Sequence, residues 1–276
     1  MECNLAQAKQ WVSALDQRRF ERALQGSGDA FQHVLAVIPL LLHLNHPQLP
    51  GYVIHAPSGI ASFLASDYQK KWLTNEYGIH YADHKPSTLK SAINFHEVLP
   101  PILGVYLMGS FGSISQTSSD LDTWICVRDD LTPDEHALLI QKTKRISEWA
   151  MQFNVEINFY LMDQQRFRNE HYADPLTIEN SGSAQYMLLL DEFYRSAVRL
   201  AGRPLLWLHL WVENEKDYEK EVARLITEGE IDPNDWVDFG GLGQFSANEY
   251  FGASLWHLYK GIDSPINLCS KFCCWK

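Results

Sequence analysis

The sequence predicts an α+β fold, a small mixed β-sheet flanked by helices at both ends. Three observations predict it. Apolar residues recur at helical spacing through the first 44 positions. Three short strand-type runs then fall between residues 102 and 161, two of them separated by a glycine- and serine-rich loop and the last two by a capped helix. Helical spacing returns from Ser183 onward. Strands clustered between helical blocks build a sheet with helices laid on it.

The elements follow in order. Asn4 caps a first helix whose Leu5, Ala8, Val12 and Leu15 share one face, and Gly26 and Gly28 stop it. Asp29–Leu44 is a second, strongly apolar helix, and His46–Gly51 is a turn. A short helix spans Ser66–Tyr77, and Tyr81–Pro101 is loop-like. Ile102–Met108 and Asp120–Val127 read as strands, with Gly109–Ser119 as the loop between them. Thr132, Pro133 and Glu135 form a capping box with proline at the first helical position, which predicts a helix from Pro133 to about Phe153. Val155–Leu161 alternates with period two and is a third strand. Ser183–Ala201 is read as one helix stopped by Gly202, Pro204–Val212 as a strand, and Asn214–Glu228 as a charged helix. Ser246 and Glu249 open a last helix ending near Gly261. Three regions result: a helical region at 1–100 packing on the core, the sheet-bearing core at 101–212, and a helical region at 213–276.

Composition narrows the function. The 276 residues hold 23 Lys plus Arg against 34 Asp plus Glu, a net charge of −11. Without a dense basic run, nucleic acid and anionic membrane are poor partners. The longest apolar stretch, Val34–Leu44, is broken by Pro39 and His43 and falls short of the ~20 residues of a membrane span. MECNLAQAKQ lacks the pattern of a signal peptide. Five cysteines, three of them among the last eight residues, make no disulfide framework. These features predict a cytoplasmic, reduced protein.

The chemistry concentrates around residue 120. Residues i and i+2 of a strand point to one face, so Asp120 and Asp122 project side by side. Two carboxylates that close repel unless a cation lies between them, and Mg²⁺ (or Mn²⁺) is the hard ion that takes carboxylate and phosphate oxygens. Gly109 and Gly112 permit close backbone approach, while Ser110 and Ser113 offer hydroxyls to phosphate oxygens. No Gly-Lys-Ser/Thr follows, so this is not a Walker loop. Glu156 lies on the polar face of the third strand with Asn158 and Tyr160. If the two strands are neighbours it approaches the aspartates, as a third ligand or a proton acceptor. The bland alternatives are aspartates capping a turn and a solvated glutamate.

Gly-Ser, a short loop and Asp-x-Asp resemble the nucleotidyltransferase superfamily of DNA polymerase beta. A narrower resemblance comes from Glu249-Tyr-Phe-Gly-Ala-Ser-Leu-Trp-His-Leu-Tyr-Lys260, twelve ordered positions similar to a signature of the class I, enterobacterial-type adenylate cyclases. Leu188–Arg203, the segment from Met108 to Val127 and Pro50-Gly51-Tyr52 are similar to that family as well. The resemblance implies a polymerase-beta-like core that converts ATP to 3′,5′-cyclic AMP and pyrophosphate, with Asp120, Asp122 and Glu156 as metal ligands and catalytic carboxylates. Gly109 and Ser110 would then form the phosphate loop.

The triphosphate charge calls for cations. Arg195 and Arg199, read as i, i+4 on one helix, and Lys260 are the candidates; pairing with Asp191 or Glu192 and complementing a helix C-terminus are the alternatives. After Ile262–Pro265 the sequence INLCSKFCCWK departs from the family, and its cysteines are weak evidence for zinc. The departure is read as a truncated end that lacks the family's regulatory domain. Two rival readings stand beside the cyclase: a nucleotidyltransferase moving AMP to another acceptor, and an inactive truncated fragment that only binds nucleotide.

Overall fold

The computed structural model describes residues 5–83, 100–109, 111–112, 120–168, 186–210, 217–242 and 251. Helices α1 (Leu5–Gln25), α2 (Asp29–His43) and α3 (Asp67–Tyr77) come first. Strands β1 (Ile102–Met108) and β2 (Asp120–Val127) follow, then α4 (Pro133–Met151), β3 (Glu156–Asp163) and α5 (Gln164–Arg168). Helix α6 (Tyr186–Ser196), strand β4 (Val198–Gly202) and α7 (Tyr218–Thr227) complete the order.

Among the described α-helices two starts are side-chain capped. Ser66 and Gln69 form a reciprocal capping box at α3, and Thr132 and Glu135 form one at α4. Each satisfies backbone N–H groups that a helix start leaves without partners. Helix α3 ends on Gly78 in the left-handed conformation.

The described residues build a four-stranded mixed sheet in the order β3-β2-β1-β4. β1 pairs antiparallel with both β2 and β4, and β2 pairs in parallel with β3. A parallel pair needs a long crossover, and α4 supplies it. One face of the sheet, with Leu121, Ile125, Ile157 and Phe159, packs against α2 and α4. The other face, with Tyr106, Trp124 and Cys126, packs against Leu190, Phe193 and Tyr194 of α6. Trp124 stacks on Phe193 at 4.0 Å. β1 is central, and all seven of its residues are buried, which is why it reads as a continuous apolar run.

The structure corrects the reading of the region after Ser183. The expected helix to Ala201 ends at Ser196, and Val198–Gly202 is a strand. The arginines and alanines there favour helix locally, but pairing with β1 decides the backbone. The strand expected over Pro204–Val212 is, in its described part, one bridge between Leu205 and Val237 and a 3₁₀ turn at Trp207–His209. The helix expected to run to about Phe153 ends at Met151, capped at Gln152, as that reading allows. Most of the helix expected from Ser246 to Gly261, Lys260 included, lies outside the described residues. No helix among the described residues is long and apolar enough to cross a membrane.

Candidate functional site

The parallel register sets Asp120 beside Glu156 and Asp122 beside Asn158. Neighbours in a parallel pair share a face, so the two aspartates and Glu156 occupy one face near the start of β2 and β3. For Asp120 the description covers the backbone alone. Asp122 is half-buried, and its Oδ1 lies 3.4 Å from both Asn158 Nδ2 and the Tyr160 hydroxyl. Both are long for hydrogen bonds. Glu156 is exposed.

Gly109 closes the site from β1. Asp122 pairs across the antiparallel ladder with Met108, the residue before it. Gly109 has φ +75°, and a Cβ placed on it would lie 3.7 Å from Asp122 Oδ2. Glycine therefore keeps the space in front of that carboxylate open. Its amide donates to Ser196 Oγ at 3.0 Å, and the Ser196 hydroxyl donates to the Glu192 carbonyl at 2.6 Å. The last turn of α6 thus holds the start of the loop. Ser110 and Ser113 lie outside the described residues.

Sequence reasoning missed the second anchor of this loop. Arg19 of α1 donates through Nη2 to the Phe111 carbonyl at 2.8 Å and through Nε to the same oxygen at 3.2 Å. Phe111 is buried, edge-on to Phe20 at 5.2 Å. An arginine on an exposed-looking helix gives no local signal of a contact 92 residues away. Arg19→Met should cost about 1.5–3 kcal/mol, the loss of charge-assisted hydrogen bonds. It should also speed amide exchange across 109–112, as hydrogen-exchange mass spectrometry would read.

The two arginines do not share a helix face. Arg195, on the last turn of α6, pairs with Asp191 at 2.7 Å. Arg199 lies on β4 opposite Tyr106. The carboxylates of Asp122 and Glu156 are oxygen ligands of the kind that suit a hard divalent cation, while Asn158 turns its amide nitrogen toward Asp122. Among the described residues no three His, Cys, Asp or Glu side chains converge as a metal cluster. Asp122 and Glu156 are the described members of the candidate set.

Comparison with known proteins bears on the whole chain. Residues 4–208 match the family described as adenylate cyclase NT domain, and residues 245–273 match adenylate cyclase, class-I, second domain. An adenylate cyclase of Haemophilus influenzae is 95% identical over 272 residues, 98% of this chain and 32% of that protein. One from Pasteurella multocida is 60% identical over 98% of this chain and 32% of its own. One from Proteus mirabilis is 45% identical over 95% and 30%. The chain thus spans about a third of the length of these curated relatives. A solved structure described as a toxin-antitoxin with AMP-PNP covers 48% of this chain and 77% of its own at 16% identity; its TM-score of 0.23 is too low to bear on fold or function. Since the first family match takes in well over half of its residues, the chain belongs to the class I adenylate cyclases, spanning their N-terminal domain and reaching into the second.

Proposed function

We propose that this chain carries the reaction centre of an adenylate cyclase and converts ATP to 3′,5′-cyclic AMP and pyrophosphate. The observation that carries the reading is the register of β2 on β3, which lines up Asp120, Asp122 and Glu156 on one face beside the Gly109 turn. Family membership supplies the reaction class.

In this reading Asp120 and Asp122 hold Mg²⁺ or Mn²⁺, with Glu156 beside Asp120. When bound, the metal offsets phosphate charge and lowers the pKa of the ribose 3′-hydroxyl. The Gly109 turn, with Ser110 and Ser113, receives the triphosphate, and Lys260 contributes a cation. Glu156, exposed on the rim, accepts the 3′-hydroxyl proton. The 3′-oxygen then bonds to the α-phosphorus as the bond to the pyrophosphate oxygen breaks. Arg195 is already engaged by Asp191 and Arg199 lies on β4, so neither is given a phosphate.

The test is cyclic AMP formation from ATP with Mg²⁺ or Mn²⁺, with Mn²⁺-dependent ATP binding measured by calorimetry in parallel. Asp120→Asn and Asp122→Asn should each lower turnover by at least about a hundredfold. Unchanged turnover in Asp122→Asn would reject the site. AMP transferred to a separate acceptor would mark the rival nucleotidyltransferase.

A further inference from the structure

A cavity of about 260 Å³ opens at the β4 edge of the sheet. One wall is a face of α1 that carries Lys9, Ser13 and Asp16 at helical spacing. Arg199 of β4 stands among the lining residues, with Tyr106, Leu205 and Leu208. None of the residues around it belongs to the Gly109 turn, and Asp122 and Glu156 are not among them, although Tyr106 lies on the same face of the sheet as Asp122.

The lining divides into an apolar part and a charged part. Tyr106 and Leu205 are buried. The Tyr106 hydroxyl donates to the Arg203 carbonyl at 2.5 Å and the residue is fully buried, so it backs the cavity wall while the partly exposed Val12, Pro204 and Leu208 supply its accessible apolar surface. His209 is buried, and its Nδ1 lies 2.6 Å from the Leu205 carbonyl, which places the ring proton there. Burial lowers the pKa of His209, so the ring is neutral at pH 7. Lys9 and Arg199 are exposed cations, and the Lys9 ammonium rests over the Trp236 ring at 4.8 Å from its centroid, a contact that leaves its charge uncompensated by a carboxylate. Asp16 is the one carboxylate among the described lining residues, and it already accepts the backbone amide of Arg199 at 3.4 Å. Two cations, one carboxylate and a neutral histidine leave the lining with one net positive charge.

Sites for small molecules combine an apolar surface with a few polar groups that fix orientation, and they run from roughly 300 to 1,000 Å³. A cavity just under that range suits a small acid better than a nucleotide. We infer that this cavity binds a small organic monoanion, its acid group between Lys9 and Arg199 and its apolar body against Val12, Pro204 and Leu208. Ser13 adds a hydroxyl donor beside the acid group.

The test is calorimetric titration of the whole chain with 3-methylbutanoate and with 3-methylbutanamide, which keeps the shape and drops the charge. The carboxylate should bind and the amide should bind at least about tenfold more weakly. Lys9→Met and Arg199→Met should each weaken the carboxylate by at least about tenfold, while Arg199→Lys restores most of it. Thermal melting checks that the variants remain folded. Asp120→Asn should bind as the parent does, which separates this site from the proposed reaction centre. The inference is overturned by no binding up to about 10 mM, by equal binding of acid and amide, or by Lys9→Met leaving the affinity unchanged.

Discussion

Raising the pH from about 7 toward 9 should stabilise the folded chain, and Lys142 is the reason. Its side chain is fully buried on α4. The Nζ donates to the Leu44 carbonyl at 2.6 Å and to Asn45 Oδ1 at 3.2 Å, both neutral acceptors. Burial lowers its pKa from 10.5 to about 7. The unfolded chain keeps the proton up to its own higher pKa, while the folded chain releases it near 7. Between those values the unfolded state binds more protons, so stability climbs with pH, by up to about 1.4 kcal/mol per unit. Below 7 both states are protonated and this contribution is absent.

His43 acts in the same direction at lower pH. Its Nδ1 accepts the Ile60 amide at 3.0 Å, and its Nε2 lies 3.3 Å from the Tyr81 hydroxyl. Burial, and then the charge of Lys142, lowers its pKa from 6.5 to about 4. Between those two values stability again rises with pH. Asp129, whose pKa burial raises to about 6, opposes this over the lower part of that window, so the rise to be read in urea midpoints is the one from pH 7 to pH 9. Lys142→Met should flatten the upper step, so that its stability difference from the parent shifts by roughly 2–3 kcal/mol between pH 6 and pH 9. A variant that keeps the full slope above pH 7 would place the titrating group elsewhere.

Replacing Gly112 with alanine should unseat the loop from α1. Gly112 has φ +65°, and a Cβ there would meet the Arg19 carbonyl oxygen at 2.4 Å and its carbonyl carbon at 2.8 Å. Those atoms are helix backbone and cannot swing aside. Gly78 is the internal control, with φ +63° and nothing within 4 Å of its Cβ position. Gly78→Ala should cost about 1 kcal/mol, the strain of a left-handed alanine. Gly112→Ala should cost about 3 kcal/mol or more, strain and overlap together. Denaturant midpoints give both numbers. Amide exchange at 109–112 should rise only in the second variant. Equal costs would mean that the loop does not rest on the helix.

The elements that could be read from the sequence are those whose signals are local. The Thr132 and Glu135 box, the apolar run of β1 and the period-two alternation of β3 each declare themselves within a few residues. The small mixed sheet followed from them. β4 did not, because Val198–Gly202 carries helix-favouring residues and becomes a strand through β1 alone. The same error made Arg195 and Arg199 look like a pair. At the site, the common face of Asp120 and Asp122 was legible from strand geometry. Glu156 was legible only on the condition that β2 and β3 adjoin, which they do. Arg19 and Ser196 left no trace in the sequence, since their partners lie 92 and 87 residues away.

That distance has a consequence for biosynthesis. Arg19 also reaches the Ala197 carbonyl, 178 residues later in the chain, and Asp16 reaches the Arg199 amide across 183. At roughly 5–20 residues per second, about 10–40 s separate translation of the two sides. Until then α1 has only its contacts to α2 and Phe111, with Trp11 and Leu15 open to solvent even in the finished fold. A nascent chain stalled before β4 should therefore leave the N-terminal half of α1 unpacked, with its apolar side chains exposed to other surfaces.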